Sequence, residues 1–219
     1  MLEVVTLLGK MIAIISACWA IVSGVGAWKR EFIGKRRIEL AEEVLATFFE
    51  IKDAIAFIRS PFTSIGEGET RVVGKREKPE ETELLNRGHI VFERYEKKRE
   101  VFVRFETLKY KFMAAYGAES EEIFKDTSKT VNSIFNSARQ LATRYWQRQG
   151  NVKMSESEFE KHLKKMEQHE DIFWDTWEED DVIRKQLQVI QGKLDRTVES
   201  TFEEPMPTYK LLTKKLWNS

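Results

Sequence analysis

The chain contains three histidines, His89, His162 and His169, the side chains best suited to metal binding or proton transfer near neutral pH. Glu158 precedes His162 by four residues, so a helix would place this carboxylate and imidazole on one face. His162 and His169 are a heptad apart, about 10 Å along a helix axis, too far to share one metal ion without further ligands. The HExxH pattern is absent. The sequence therefore predicts solvated histidines on a helix surface and no metal site.

A glycine-rich segment, GEGETRVVGK at 66–75, invites comparison with phosphate-binding loops. It lacks the GxxxxGK[ST] spacing, and no strand is predicted before it. The patterns GxSxG and SxxK and the protein-kinase signatures are also absent. We predict a flexible connection or a partner-binding loop here, and no bound cofactor.

The acidic residues at 178–181 could attract a cation, but they fall between two predicted helices and favour the start of the second through its dipole. Tyr145, Trp146, Trp174 and Trp177 could line an apolar pocket, although most such residues fill helix–helix cores. We therefore predict no catalytic, cofactor-binding or metal-binding residue.

The composition restricts the classes of function. The 219 residues include 36 basic and 36 acidic side chains, and the zero net charge argues against a nucleic-acid-binding protein with a basic surface. The single cysteine, Cys18, excludes an intrachain disulfide and a thiolate metal cluster. Glycine and proline number only 11 and 4, and no segment alternates as a strand would, so we predict an all-α fold.

The elements that organise the chain begin with a membrane anchor, predicted at 1–28. Its apolar stretch, Met11 to Trp28, has no ionisable group except the Cys18 thiol. As a helix it would cover roughly 27 Å, close to the thickness of the hydrocarbon layer. Lys10 lies at the end of the span, where a lysine can reach the headgroups. The alternative is that this helix is buried inside a soluble domain. It is disfavoured because no later segment of the chain is apolar enough to surround the helix.

Basic residues follow the span and set its orientation. We expect the N-terminus outside and the remainder in the cytosol, because positive charge accumulates on the cytosolic side. A cleaved signal peptide is the alternative, since 25–27 resemble a cleavage site, but signal peptides carry their charge ahead of the apolar core. The residues expected at the cytosolic membrane surface are Trp28, Lys29, Arg30, Lys35, Arg36 and Arg37.

Small residues recur along the span at spacings of three and four, which places them on one helical face. Such faces let two helices approach closely in lipid, where packing drives association. We therefore predict self-association through Gly9, Ala13, Ala17, Ala20, Gly24 and Ala27.

The anchor helix is predicted to continue into the cytosol, from about Val4 to Ser60, with a length on the order of 80 Å. Pro61 ends it, because the residue before a proline avoids the helical region. Its cytosolic part carries a heptad repeat that predicts a packed seam. The repeat consists of Ala41, Val44, Phe48, Ile51, Ile55 and Ile58.

Four further helices, the second to the fifth of the chain, are predicted at 81–116, 120–150, 156–178 and 181–203. Ser120 is expected to cap the helix at 120–150, and a capping box of Ser155 and Glu158 is expected to open the helix at 156–178. The charged run RYEKKRE, at 94–100, is expected to be solvated. The cleanest heptad repeat is Phe124, Thr127, Val131, Ile134, Ala138, Leu141 and Tyr145. The expected apolar face of the fourth helix is Phe159, Leu163, Met166, Phe173 and Trp177. Together these helices predict a cytosolic bundle or antiparallel coiled coil at 29–204, with a flexible loop at 61–80.

Pro205 and Pro207 separate a short amphipathic tail, 205–219, from the bundle. Its apolar and basic residues suit either a membrane surface or the bundle, and both remain open.

Four runs together resemble a family of uncharacterised bacterial single-span membrane proteins. They are AWKREFIGKRRIELAEEVLATFFEIKDAIAFIRSPF, GEGETR, PEETELLNR and YWQRQG, and the resemblance covers nearly the whole chain. The resemblance implies a bacterial inner membrane, a cytosolic helical domain and an uncharacterised role, and it supplies no catalytic residues that could be assigned to this chain.

These expectations describe a single-pass scaffold that contacts membrane lipid and acts as a homo-oligomer or binds a protein partner, without nucleic acid. A toxin-like or defence-type effector that perturbs the bilayer on assembly is the second hypothesis. An enzyme without a recognisable motif is the third.

Overall fold

A computed structural model describes residues 2–150, 152–178 and 180–202 of the chain. Helices account for 83 % of these residues, and none of them lies in a strand. The predicted all-α fold is confirmed: the second part of the long N-terminal helix packs with four other helices as a bundle. The predicted tail, 205–219, lies outside the described residues.

Helix α1 comprises Leu2–Arg59 and helix α2 comprises Pro79–Tyr116. Gly34 does not interrupt α1, and the helix ends one residue before the predicted Ser60. Proline opens α2, a position where its missing N–H would have no partner in any case. Gly117, with φ of 97°, follows the end of α2.

Helix α3 comprises Glu121–Gln140 and continues through a π-helical turn, Leu141–Tyr145, into a last α-helical turn, Trp146–Arg148. All seven residues of its predicted repeat are buried. The prediction that Ser120 caps this helix is wrong, because its hydroxyl donates to the carbonyl of Gly117 at 2.7 Å instead.

Helix α4 comprises Glu156–Phe173, and helix α5 comprises Val182–Phe202. The Glu158 carboxylate accepts from the backbone N–H and the hydroxyl of Ser155, at 3.0 and 2.8 Å, as expected for the start of α4. The predicted extent of α4 is wrong, because the backbone is extended at Trp174 and the helix ends five residues early.

The expected face of α4 is also wrong in part. Phe159 and Trp177 are exposed, whereas His162, Met166 and Phe173 are the buried residues of this helix. A histidine therefore replaces the predicted phenylalanine on the core side of α4.

The chain divides into two compact units, and Glu43–Glu199 form the larger one. Aromatic rings fill its centre. The ring of Phe105 lies 6.1 Å from that of Phe48 and 4.5 Å from that of Phe124, and Phe112 packs edge-on against Phe124 at 5.9 Å. Helices α1, α2 and α3 thus meet through one aromatic cluster, which fixes the positions of the elements described below.

Candidate functional site

The first part of α1 is apolar and exposed. Its most apolar 18-residue window has 0 % of its residues buried, and Trp19, Ile21 and Val22 keep between 66 % and 74 % of their surface exposed. Within the described part of the chain, α1 is the one helix that is long and apolar enough to cross a membrane.

Two serines interrupt this apolar segment, and both are satisfied within the helix. The Ser16 hydroxyl donates to the carbonyl of Ile12, and that of Ser23 donates to the carbonyl of Trp19, each at 2.8 Å. Hydrocarbon offers no hydrogen-bond partners, so a polar group there must be satisfied by the protein. These contacts make the segment compatible with lipid.

The predicted association face is uncovered in the single chain. A Cβ added at Gly9 or Gly24 would meet no atom within 4 Å. The exposed residues of this face are Gly9, Ala13, Ala17, Ala20 and Gly24. The Ala27 side chain lies outside the described part of the structure. The face is therefore open to a second helix.

Aromatic and basic side chains follow the apolar segment. Trp28 is 66 % exposed, and its ring stacks on that of Phe32 with 5.7 Å between centroids. The Arg36 guanidinium lies 5.8 Å from the same Phe32 ring. The amphipathic indole ring of Trp28 and a nearby cation are typical of a membrane–water interface.

The other residues predicted at the membrane surface differ in their environments. Lys29 is exposed, and Lys35 forms an exposed ion pair with Glu31 at 3.3 Å. Arg37 is half-buried, and the Arg30 side chain lies outside the part of the chain that the structure describes. Three of the cations, Lys29, Lys35 and Arg36, are therefore exposed at the surface.

The heptad repeat of α1 is buried. Each of its residues is at most 1 % exposed: Ala41, Val44, Phe48, Ile51, Ile55 and Ile58. The repeat therefore belongs to the core of the folded chain, and a partner would have to bind elsewhere.

The C-terminal residue of α1, Arg59, lies at a buried junction of three helices. Its guanidinium forms two hydrogen bonds of 2.8 Å with the Asp181 carboxylate. It also donates to the carbonyls of Asp171, Ile172 and Trp174, at 2.6 to 2.8 Å. These carbonyls end α4 and have no partner within the helix, so Arg59 caps α4 while it binds the start of α5.

Asp181 in turn caps α5. Its Oδ1 accepts the backbone N–H groups of Ile183 and Arg184, at 3.0 and 2.9 Å. Burial raises the pKa of Asp181, but the hydrogen bonds from Arg59 and Arg184 outweigh this effect and lower it to about 2. Asp181 is therefore an anion at neutral pH. A neighbouring carboxylate, Asp175, pairs with Arg184 at 3.0 Å.

A second buried arginine, Arg94 of α2, caps α1 itself. It is 2 % exposed and binds both Glu67 oxygens, at 2.8 and 2.7 Å. It also donates to the carbonyls of Ile58, Ser60 and Phe62, at 3.3, 2.5 and 2.5 Å. The hydrogen bond from Arg94 lowers the pKa of Glu67, although burial opposes it. The end of α1 and the following loop are thus tied to α2.

The glycine-rich loop is bound to α2 at a further point. The Gly68 N–H donates to the Glu93 carboxylate at 2.8 Å, and Arg71 pairs with Glu77 within the loop. Gly68 has φ of 90°, and a Cβ there would lie 2.2 Å from the Asn86 carbonyl oxygen. Gly68 thus serves close packing against α2. The N–H groups of Gly68 and Gly74 donate to the Glu93 and Glu77 carboxylates, where a phosphate-binding loop would present free N–H groups.

The expectation of a solvated run at 94–100 is therefore wrong for Arg94. A signal for both buried arginines exists in the spacing, because Arg94 lies three residues after Val91 and Arg59 four residues after Ile55. Both apolar residues are buried, and helical periodicity places the arginines on the same face.

The expectation of solvated histidines on α4 is wrong for His162, which is 7 % exposed and packs against Tyr145 with 5.4 Å between ring centroids. His169 is half-buried, and its Nδ1 lies 3.1 Å from the Ser137 hydroxyl. Burial and the nearby Lys165 charge lower the pKa of His169.

The four aromatic residues singled out in the sequence do not line one pocket. The rings of Trp146 and Trp174 both pack edge-on against the ring of Phe173, with 5.6 and 4.3 Å between ring centroids. Trp177 is 55 % exposed and lies 5.2 Å from Phe62. Among the described residues, no three histidine, cysteine, aspartate or glutamate side chains are grouped so as to hold a metal ion.

Comparisons with known proteins identify no relative: no family model matches the chain, and neither a curated protein nor a solved structure is significantly similar to it.

Proposed function

We propose that the protein is a single-pass, membrane-anchored helical scaffold that self-associates or recruits a protein partner at the cytosolic face of a bacterial inner membrane. The observation that carries the proposal is the exposed apolar segment of α1. In this proposal the helical bundle binds the partner, and no enzymatic reaction is assigned to the bundle.

Exposure in water would be costly for this segment. Removing one large apolar side chain from water contributes roughly 1.5–3 kcal/mol. Thirteen such residues between Leu7 and Ile33 are about half to three-quarters exposed. A contiguous exposed apolar surface of this kind indicates contact with lipid or protein. A bilayer removes all sides of a helix from water at once, whereas a partner helix covers only one side. Insertion in a bilayer therefore accounts better for the exposed apolar residues of this segment.

The arrangement of charge supports the proposed orientation. Lys29, Lys35 and Arg36 are accessible and follow the span, and Trp28 marks its end. Positive charge after the span favours an N-terminus outside and a bundle in the cytosol.

Flotation of membranes tests the anchor. We would express the full chain, float membranes in a density gradient and compare two double variants. Ile14→Arg/Val22→Arg places charges in the apolar segment, each costing about 3 kcal/mol at the centre of a span. We expect the wild type to float and this variant to be lost from the floating fraction.

The matched control is Val103→Arg/Val189→Arg. These two valines are 53 % and 60 % exposed in the bundle, so the chemical change is the same outside the segment. It should float as the wild type does. A wild-type chain that stays with the soluble fraction, or equal losses in both variants, would contradict a membrane anchor.

The orientation has its own test. A fluorescent protein fused after the bundle should fluoresce, whereas alkaline phosphatase at the same site should be inactive because it folds only outside the cytosol. The reverse pattern would reject the proposed topology and leave the anchor intact.

A further inference from the structure

A groove of about 470 Å³ lies between the end of the α3 segment and α4, within the range of small-molecule sites. Cationic side chains dominate its lining, and Glu158 is the one carboxylate among the lining residues. The six cations are Arg144, Arg148, Lys153, Lys161, Lys164 and Lys165.

The helical spacing explains why these charges converge. Lys161, Lys164, Lys165 and Gln168 recur at the spacings that define one face of α4, and that face borders the groove. On the other side, Arg144 belongs to the π-helical turn, an irregularity that is frequent at functional sites.

The six cations form no close ion pair with the described residues, and one of them, Arg144, lies 5.7 Å from the ring of Tyr145. None of them lies within 4.0 Å of a carboxylate of a described residue. Glu158 is engaged by Ser155 at the start of α4, and those hydrogen bonds lower its pKa. Like charges that face a common space repel each other, so the groove attracts an anion.

One lining residue of the groove, His162, also holds an unsatisfied buried polar atom. His162 lines the groove and is 7 % exposed, and its Nε2 has no hydrogen-bond partner. Buried side-chain nitrogens are rarely left without a partner in folded proteins. This atom and the cations without a carboxylate partner are two independent features that suit an anion site.

We propose that this groove binds a soluble anion that carries a short chain of phosphate groups, as a nucleoside triphosphate or inorganic tripolyphosphate does. The net positive charge of the lining calls for several negative charges on the ligand, and phosphate oxygens accept hydrogen bonds from arginine and lysine.

The phosphate chain, and not a base, is the expected recognition element. The aromatic ring of the lining, Tyr145, is 6 % exposed and already packs against His162, so it offers no free face to a base. The concave shape favours a compact ligand over a flat lipid surface. The proposal goes beyond the scaffold function and uses none of its arguments about the membrane.

Calorimetric titration of the full chain in a neutral detergent tests the groove, with sodium tripolyphosphate and ATP as separate ligands. We expect both to bind with similar affinity and to bind more weakly at higher salt. Lys161→Gln/Lys165→Gln should weaken binding of both by roughly tenfold or more, because it removes two charged hydrogen-bond donors.

The matched control is Lys111→Gln/Lys185→Gln, which removes two exposed helical lysines outside the groove and leaves the same net charge. It should retain the wild-type affinity. In addition, the imidazole ¹⁵N resonance of His162 should shift when tripolyphosphate is added, and the signal should be absent in His162→Gln. This readout does not depend on the stability of the lysine variants.

Four results would overturn the proposal. They are no binding of tripolyphosphate to the full chain, binding of ATP alone, equal losses in the groove and control variants, and an unchanged His162 resonance at saturation. Binding of anionic vesicles or RNA without tripolyphosphate would reject it as well, and would assign the groove to those surfaces instead.

Discussion

Arg59 and Asp181 are 122 residues apart in the chain, yet they form two hydrogen bonds of 2.8 Å inside the bundle. The two side chains are 1 % and 0 % exposed. This contact joins the end of α1 to the start of α5, and the same guanidinium closes α4. One residue pair thus fixes where three helices end or begin.

Breaking this pair should destabilise the bundle strongly. Arg59→Met removes the positive charge and leaves Asp181 buried without its partner, which typically costs about 3–5 kcal/mol. Urea unfolding of the full chain in neutral detergent, followed by circular dichroism, measures the loss. Arg104→Met is the control, because Arg104 and Glu50 form an ion pair that is half-exposed on both sides, and such pairs contribute at most about 1 kcal/mol. Equal losses of unfolding free energy in the two variants would show that burial of the Arg59–Asp181 pair does not add to the stability of the bundle.

The stability of the bundle should depend on pH through Asp181. The pKa of Asp181 falls from 3.8 to about 2 on folding. As the pH falls, the Asp181 carboxylate is therefore protonated at a higher pH in the unfolded chain than in the folded one. The resulting stability, on the order of 2 kcal/mol, is present above pH 4 and is lost as the pH falls through about 2. Urea unfolding of the wild type and Asp181→Asn between pH 6 and pH 2.5 checks this. The difference between them should shrink as the pH falls, and a constant difference would count against the assignment.

Gly88 should tolerate no side chain. A Cβ at this buried position of α2 would lie 2.5 Å from the Ala142 Cβ and 3.0 Å from the Ala138 carbonyl oxygen. Gly88→Ala should therefore destabilise the bundle by roughly 1–3 kcal/mol. Gly192→Ala in α5 is the matched control, since no atom lies within 4 Å of its added Cβ, and it should stabilise by up to about 1 kcal/mol. Thermal unfolding distinguishes the two, and a stable Gly88→Ala variant would show that α2 and α3 can separate at this point.

The small-residue face of α1 should mediate self-association if the scaffold proposal holds. Ala20→Leu/Gly24→Leu adds bulk to this face and should weaken association, whereas Cys18→Leu/Val22→Leu adds bulk to the other side and should not. Energy transfer between labelled chains in lipid vesicles measures the effect. Equal transfer in both variants would place any contact elsewhere.

Disulfide cross-linking gives an independent check on that face. At 100° per residue, Cys18 lies roughly 150° from the centre of the face, so it is a poor reporter of this contact. Ala17→Cys in a Cys18→Ser background should cross-link readily in membranes, and the native Cys18 should cross-link weakly. Stronger cross-linking through Cys18 would assign association to the opposite side.

Hydrophobic periodicity predicted the helices of the bundle best where a helix buries one continuous apolar stripe. The repeat in α3 is the clearest case, and its residues are buried from Phe124 to Tyr145. The end of α4 could not be predicted from its own residues. The helix stops at Phe173 where its last carbonyls bind Arg59, a residue more than 110 positions away in the chain.

The burial of polar side chains inside the bundle could not be predicted from the sequence either. Arg94 lies within a charged run, and its partners include backbone carbonyls, which leave no pattern in the sequence. His162 was expected on the surface, yet α4 turns this side chain towards Tyr145 and leaves Phe159 exposed. The cations of the groove come from α3, a loop and α4, and only the fold brings them together.

The contacts of the two buried arginines can form only in a set order while the chain is being synthesised. When Arg94 emerges, its acceptors at the end of α1 and in the loop have already been translated, so this contact can close at once. Arg59 must wait for partners that are made 112 to 122 residues later. At about 5–20 residues per second, that delay lasts several seconds or longer. We therefore expect the contact between α1 and α2 to close first in the nascent chain, with the Arg59 guanidinium hydrated until α4 and α5 have been synthesised.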